Sequence, residues 1–254
     1  MDKKDFIITD ENVENYVTEI GNWIKQIVIN AHAKGVVLGM SGGVDCSTVA
    51  RLCQVANINT HLVLMPYGNN MEKIGSAQDA MALIEKFNFE YHVFDIKPAV
   101  DNLQIESNAE NIQLAYSNIK PRVRMTYLYE YAQLNNLLVI GTSNLSERTI
   151  GYSTKWGDGA SDLNPLGMLT KREVYTLAEY LGIPNNIINK APSADLWQGQ
   201  NDEEELGLTY KQIDDFILFK TSGDNNTDNI IRSKIIKNSH KIRPIPLFIA
   251  SKNH

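Results

Sequence analysis

The chain has 254 residues, 43% of them hydrophobic, enough to bury the core of one large α/β domain or two small ones. Its 30 acidic and 24 basic side chains leave a formal charge of -6, which argues against a broad nucleic-acid or anionic-membrane surface. No apolar run can span a bilayer, no signal peptide opens the chain, and two cysteines form neither a disulfide framework nor a zinc pattern, so a cytoplasmic protein is expected.

Val13, Tyr16, Val17, Ile20, Ile24, Ile27, Val28 and Ala31 repeat at helical spacing, which predicts a core-packed helix over 11–33 capped by Asp10. Val36 to Met40 has the β-branched content and length of a buried parallel strand, and it stops at Ser41-Gly42-Gly43. Residues 44–54 are helix-compatible, with Val49, Ala50, Leu52 and Cys53 able to face a core. A strand, a glycine turn and a helix in that order aim unpaired N–H groups and a helix's positive end into one hollow. Such a hollow suits an anion, and phosphate is the one expected. Asp45 sets a carboxylate beside it, which costs stability unless a metal cation bridges it to the phosphates. The turn has neither the Gly-x-x-x-x-Gly-Lys-[Ser/Thr] nor the Gly-x-Gly-x-x-Gly pattern. A ligand-free glycine turn is the bland alternative.

Residues 61–65 read as a second buried strand, ended by Pro66-Tyr67-Gly68-Asn69-Asn70, then 76–87 as a helix and 91–96 as a third strand. This alternation implies βαβ units and a mainly parallel sheet with ligands at the strands' carboxyl ends. Residues 98–135 look almost wholly helical. There the aromatic stripe at Tyr127 and Tyr131 suits a core or a subunit interface, and Arg122 and Arg124 suit a phosphate, a carboxylate or surface ion pairs. Residues 137–141 form a fourth buried strand, followed by a polar stretch to Asp162 where an α/β sheet places its site. Thr170 and Glu173 box the start of a helix that ends at Gly182 and Pro184. Residues 192–207 read as a long loop, Thr209 and Gln212 cap a further helix, 221–228 reads as a mobile polar linker, and a last helix over 230–238 leads into a basic tail.

The turn resembles Ser-Gly-Gly-x-Asp-Ser, the pyrophosphate-gripping loop of the N-type ATP pyrophosphatases. Cys46 stands where that motif has its second serine. A thiol donates hydrogen bonds more weakly than a hydroxyl, and whether Ser47 takes over is open. Asn118-Ile-Lys-Pro-Arg-Val-Arg-Met125, Gly141-Thr-Ser-Asn-Leu-Ser-Glu147, Gly151-Tyr-Ser-Thr-Lys-Trp-Gly-Asp-Gly-Ala-Ser-Asp162 and Ala191-Pro-Ser-Ala-Asp-Leu-Trp-Gln-Gly-Gln200 widen the resemblance. Across essentially the whole chain it is similar to the ammonia-dependent NAD synthetases.

That resemblance implies an adenine-nucleotide α-hydrolase-like (Rossmann-like) α/β fold: a mainly parallel sheet flanked by helices on both faces. It implies one synthetase domain over residues 1–254, without a glutaminase domain, in a homodimer. The implied reaction is ATP-dependent amidation of deamido-NAD (nicotinate adenine dinucleotide) by ammonia through an acyl-adenylate, giving NAD, AMP and pyrophosphate with Mg2+. Carried over residue by residue, Gly39, Met40, Ser41, Gly42, Gly43, Val44, Asp45 and Cys46, with Thr142, Lys171 and Ser193, would contact ATP. Asp45 and Glu147 would hold magnesium. Arg122, Lys155, Asp158, Asp162, Glu205, His240 and Lys241 would receive deamido-NAD, the His-Lys pair being followed by Ile242 where the family has a basic residue. Asp45, Lys155, Asp158 and Asp162 are the catalytic candidates, with Asp158 or Asp162 as proton acceptor. In the family the 192–207 loop closes over the site; taken alone, Glu147 and the run 202–205 read as solvated charge. Another adenylating pyrophosphatase, acting on tRNA, GMP or an amino acid, and a non-catalytic ATP-binding module are the rival readings.

Overall fold

The computed structural model describes residues 8–68, 75–193 and 200–248. Four strands form its sheet: β1 (Val36–Gly39), β2 (Thr60–Leu64), β3 (Tyr91–Val93) and β4 (Leu138–Val139). The helices before and between them are α1 (Val13–Asn30), α2 (Val44–Val55), α3 (Gly75–Phe87), α4 (Lys97–Asn102), α5 (Ile112–Ser117) and α6 (Ile119–Asn135). After β4 come α7 (Leu145–Ile150), α8 (Lys171–Tyr180), α9 (Asn185–Ile188), α10 (Asp202–Leu206), α11 (Tyr210–Phe219) and α12 (Asn225–Asn238), with a 3-10 turn at Ser239–Lys241.

All the strands are parallel, in the order β3-β2-β1-β4, with Val36 opposite Thr60 on one side and Leu138 on the other. The chain leaves β1 toward β2 and β3 and then returns to the far side for β4. The switch point of the sheet therefore lies between β1 and β4, where a crevice opens above the carboxyl ends. Helices cover both faces because successive strand residues point opposite ways. Val36, Leu38, Leu62 and Leu64 pack with residues of α1, α2, α3 and α8. Val37, Val63 and Val139 pack with α4 and α6, where Tyr127 stacks on Phe94 with ring centroids 5.6 Å apart. The aromatic stripe of α6 thus serves the core. A third apolar cluster, including Ile150, Leu206, Ile213, Phe216 and Ile231, joins α7, α10, α11 and α12.

Several boundaries differ from expectation, each for a local reason. The first helix starts at Val13 and not near Asp10, because Asn12 folds back to accept the Thr9 N–H at 2.7 Å. The helical stretch expected over 98–135 is three helices, with residues 103–111 non-helical between the first two. The segment expected to be a mobile linker, 221–228, is the capping turn and first helical residues of α12. Asp224 accepts the Thr227 N–H at 2.8 Å and Ser222 N–H donates to Asp228 at 2.7 Å, so its polar residues are capping chemistry. The expected 192–207 loop contains α10, whose first N–H groups Asn201 accepts; its residues 194–199, like Asn69 and Asn70, lie outside the described residues. No described helix is long and apolar enough to cross a membrane.

Gly141 lies where β4 gives way to the site. Its N–H donates to Leu163 O at 2.8 Å, and a Cβ there would meet Ser161 Oγ at 2.5 Å and Ser161 Cβ at 2.8 Å. Gly141→Ala is expected to cost about 1–3 kcal/mol by overpacking, measured as a lowered urea midpoint at unchanged slope.

Candidate active site

Above β1 the chain turns through Gly42, whose φ of 85° lies in the left-handed region that glycine enters without steric cost. Gly39 is closely packed: a Cβ would come within 3.2 Å of Leu128 Cδ1 and 3.3 Å of Met65 Cε, so those side chains would have to give by a few tenths of an ångström. Ser41 Oγ accepts the Gly43 N–H at 3.4 Å, and the Cys46 thiol donates to Gly43 O at 3.2 Å and meets Ser41 Oγ at 3.3 Å. The thiol therefore closes the turn on itself. Ser47, the alternative donor, is fully buried and its Oγ has no hydrogen-bond partner. A hydroxyl at position 46 can repeat the same local contacts, so Cys46→Ser is expected to change the KM for ATP by no more than about threefold. Initial rates against ATP concentration check this.

Three helix starts converge over the switch point. Asp45 lies in the first turn of α2, Glu147 in that of α7, and Lys171 opens α8. Lys171 Nζ donates to Asp45 Oδ2 at 2.5 Å and stands 3.6 Å from Glu147 Oε1. Asn144 locks the arrangement. Its Nδ2 donates to Asp45 Oδ1 at 3.0 Å, and its Oδ1 accepts the Glu147 N–H at 3.0 Å while Glu147 Oε2 accepts the Asn144 N–H at 3.2 Å. That capping box leaves Glu147 Oε1 for Lys171 and for the Tyr210 hydroxyl at 3.3 Å. A lysine that opens a helix is ordinarily a surface residue, yet Lys171 is only 2% exposed. Burial by itself lowers its hold on the proton, but Asp45 and Glu147 outweigh burial and keep Lys171 charged beyond the ordinary lysine range. Burial, then the charge of Asp45, pushes Glu147 up to about 8.

These residues fit a divalent cation. The Asp45 charge raises the cost of charging Glu147, and these two half-buried carboxylates share one ammonium, so further positive charge between them would relieve the crowding. No cluster of three or more His, Cys, Asp or Glu able to hold a metal exists among the described residues. A pair of carboxylates completed by phosphate and water is how magnesium is commonly held.

The residues expected to receive the second substrate line the neighbouring segment. Arg122 Nε, in the first turns of α6, donates to Lys155 O at 3.3 Å. Lys241 Nζ donates to Gly151 O at 2.9 Å and Ser153 O at 3.0 Å, which places the carboxyl-terminal tail against the loop after α7. Between them opens a cavity of about 320 Å³, lined by residues including Arg148, Tyr152, Trp156, Lys241 and Arg243. Asp158 accepts the Thr154 N–H at 2.9 Å. Asp162 is tied into the sheet: its Oδ2 accepts the Val139 N–H at 2.7 Å and its Oδ1 lies 3.4 Å from the Tyr129 hydroxyl, which burial and this neighbour push up to about 12. One oxygen thus holds β4 and the other meets α6. His240 is exposed on the 3-10 turn. Thr142 lies in the link from β4 to α7, at the same end of the sheet as the glycine turn, and Ser193 is exposed just before the undescribed residues.

The acidic run 202–205 is not simply solvated. Asp202 is 5% exposed and accepts from the Tyr152 hydroxyl at 2.9 Å and the Tyr210 hydroxyl at 3.1 Å. Glu205 Oε2 lies 2.9 Å from the same Tyr152 hydroxyl, whose single proton serves one of the two carboxylates at a time, and accepts from Gln200 Nε2 at 2.8 Å. Asn144, Tyr152, Asp202 and Tyr210 escaped the sequence reading. Only Asn144 carried a local signal, as the cap of the Asn-x-x-Glu box.

The sheet order and the placement of the site at its switch point define an α/β fold of the adenine-nucleotide α-hydrolase-like class. The profile of the NAD synthase family matches residues 16–254, and the chain belongs to that family. Relatives named NH(3)-dependent NAD(+) synthetase include one from Carboxydothermus hydrogenoformans, 42% identical over 91% of this chain and 96% of the relative. Another, from Syntrophomonas wolfei, is 43% identical over 93% of this chain and 95% of its own. Among solved structures, the chain is similar to an NMN synthetase from Francisella tularensis, with a TM-score of 0.84, 36% identity and coverage of 95% and 99%. It is also similar to an NH3-dependent NAD synthetase from Campylobacter jejuni, at a TM-score of 0.79, 31% identity and coverage of 93% and 99%.

Proposed function

We infer that the chain amidates deamido-NAD with ammonia in an ATP-driven reaction that forms NAD, AMP and pyrophosphate. The observation that carries this reading is the Lys171–Asp45–Glu147 cluster at the start of α2, in a chain of the NAD synthase family. A carboxylate resists direct attack by ammonia because its departing oxygen is too basic. Adenylation removes the obstacle: a nicotinate carboxylate oxygen bonds to the α-phosphorus as the bond to pyrophosphate breaks. Ammonia then bonds to the acyl carbon, AMP departs, and the nitrogen sheds a proton.

In this reading the amides of the glycine turn hold the triphosphate, and Lys171 exchanges part of its pairing with Asp45 for phosphate. Asp45 and Glu147 would hold magnesium, which when bound neutralises the charge of the departing pyrophosphate. Thr142 and Ser193 take the nucleotide's remaining polar groups. Arg122, Lys155, Glu205, His240 and Lys241 take the dinucleotide, and Asp158 or Asp162 accepts the proton. The role of Asp162 is the harder to meet, since its carboxylate also caps β4. A single synthetase domain, a homodimer and a cytoplasmic location complete the proposal. Leu114 at 52% and Leu134 at 78% exposure, on α5 and α6, supply apolar surface for a second copy.

The similarity to an NMN synthetase favours a second reading, in which the mononucleotide acid is the acceptor. Offering both acids at equal concentration with ATP, magnesium and ammonium, and separating the products, decides between them. NAD formed in step with pyrophosphate supports the first reading, and faster formation of NMN the second. Pyrophosphate released without either acid overturns both.

A further inference from the structure

A series of carboxylates and phenols, each within hydrogen-bond distance of the next, runs the whole way between the two proposed substrate sites. It starts at Glu147 Oε1, 3.3 Å from the Tyr210 hydroxyl, which lies 3.1 Å from Asp202 Oδ2. Asp202 Oδ1 lies 2.9 Å from the Tyr152 hydroxyl, which is 2.9 Å from Glu205 Oε2. At one end Lys171 ties Glu147 to Asp45; at the other, Gln200 Nε2 donates to Glu205 at 2.8 Å. Asp202 and Glu205 sit on one short helix, α10, whose Glu203 also accepts the Tyr210 N–H at 2.7 Å. A phenol carries a single proton, so Tyr210 donates either to Glu147 or to Asp202, never to both at once. The element therefore has two arrangements.

We propose that Tyr210 is a positioning residue that couples the ATP site to α10, so that ATP with magnesium and deamido-NAD each tighten the other's binding. This rests on the reading of the site under Proposed function. While the cluster lacks its ligand, Glu147 Oε1 and Asp202 Oδ2 compete for the one Tyr210 hydroxyl. Positive charge drawn to Glu147 by a bound nucleotide and its cation satisfies that oxygen and releases the proton toward Asp202. α10 is then held more firmly, and with it Glu205 at the dinucleotide. The coupling is reciprocal, because a dinucleotide that fixes Glu205 and Asp202 draws the Tyr210 proton away from Glu147 and leaves that oxygen for the cation. The buried ring lies 4.9 Å from Lys171 Nζ, a contact that Tyr210→Phe preserves while deleting the hydroxyl.

The test is calorimetric titration of deamido-NAD into the wild-type protein and Tyr210→Phe, with and without a non-hydrolysable ATP analogue plus magnesium. The expected wild-type coupling is at least about fivefold, falling to within about twofold of unity in Tyr210→Phe. Tyr152→Phe cuts the same series two contacts further on and is expected to act likewise; it takes over if Tyr210→Phe does not fold. Coupling retained in both variants, or absent from the wild type, overturns the proposal. A wild type that binds neither nucleotide overturns the reading of the site itself, a result distinct from the loss of coupling alone.

Discussion

Lys171→Met is expected to lower stability and ATP-dependent turnover together, and magnesium is expected to restore part of the stability alone. The wild-type lysine side chain is 3% exposed, and its ammonium faces Asp45 at 2.5 Å and Glu147 at 3.6 Å. Methionine fills the same space but leaves two carboxylates crowded without a cation, and Glu147 is already pushed up to about 8 with the lysine present. Removing one partner from a buried ion pair costs about 3–5 kcal/mol, because the remaining charge stays desolvated. A divalent cation held by the same carboxylates replaces the missing charge, so the gap between wild type and variant in a urea titration narrows as magnesium is added. Turnover does not recover, since the contact between ammonium and phosphate is gone. Loss of one preorganised charge of this kind lowers kcat/KM for ATP by about 100- to 1,000-fold. Equal stabilities in metal-free buffer would contradict this account of the cluster.

The second large effect is expected from Asp45→Asn. The amide oxygen can still accept from Asn144 Nδ2, but its NH2 group then faces the Lys171 ammonium, donor against donor, where the carboxylate accepted at 2.5 Å. The cation also loses one of its two charged ligands. Activity is expected to fall by about 100-fold or more, with the magnesium concentration for half-maximal rate displaced upward. Steady-state rates over a magnesium series separate the two outcomes. A lower plateau reached at unchanged magnesium demand would remove Asp45 from the metal and leave it only the task of holding Lys171.

The elements that were readable in the chain are those whose signal is local. Val36 to Met40 announces a buried strand because its run is apolar, β-branched and cut off by two glycines, and the Thr170–Glu173 box announces α8 through its cap. The burial of Lys171 could not be read this way. Its two carboxylate partners arrive from α2 and α7, far off in sequence, so a helix-opening lysine looks like surface until the sheet brings them together. The same holds for Asp202, which reads as solvated charge until Tyr152 and Tyr210 close over it. Where polar residues cluster, composition alone misleads: the segment 221–228 looks like a linker because the Ser, Asp and Thr residues that cap α12 are also those of loops. Motif resemblance bridged part of this gap by pointing to Glu147 and Lys171 without a reason for their pairing. It had nothing to say of Asn144, which holds Asp45 and Glu147 at once.

Diffraction from crystals equilibrated with a non-hydrolysable ATP analogue and magnesium tests the central claim most directly. The expected density places the phosphates on the amides of Gly42 to Asp45, with a cation reached by Asp45 and Glu147 and with Lys171 turned from Asp45 toward phosphate. Phosphates bound elsewhere, with the Lys171–Asp45 pair undisturbed, would contradict it.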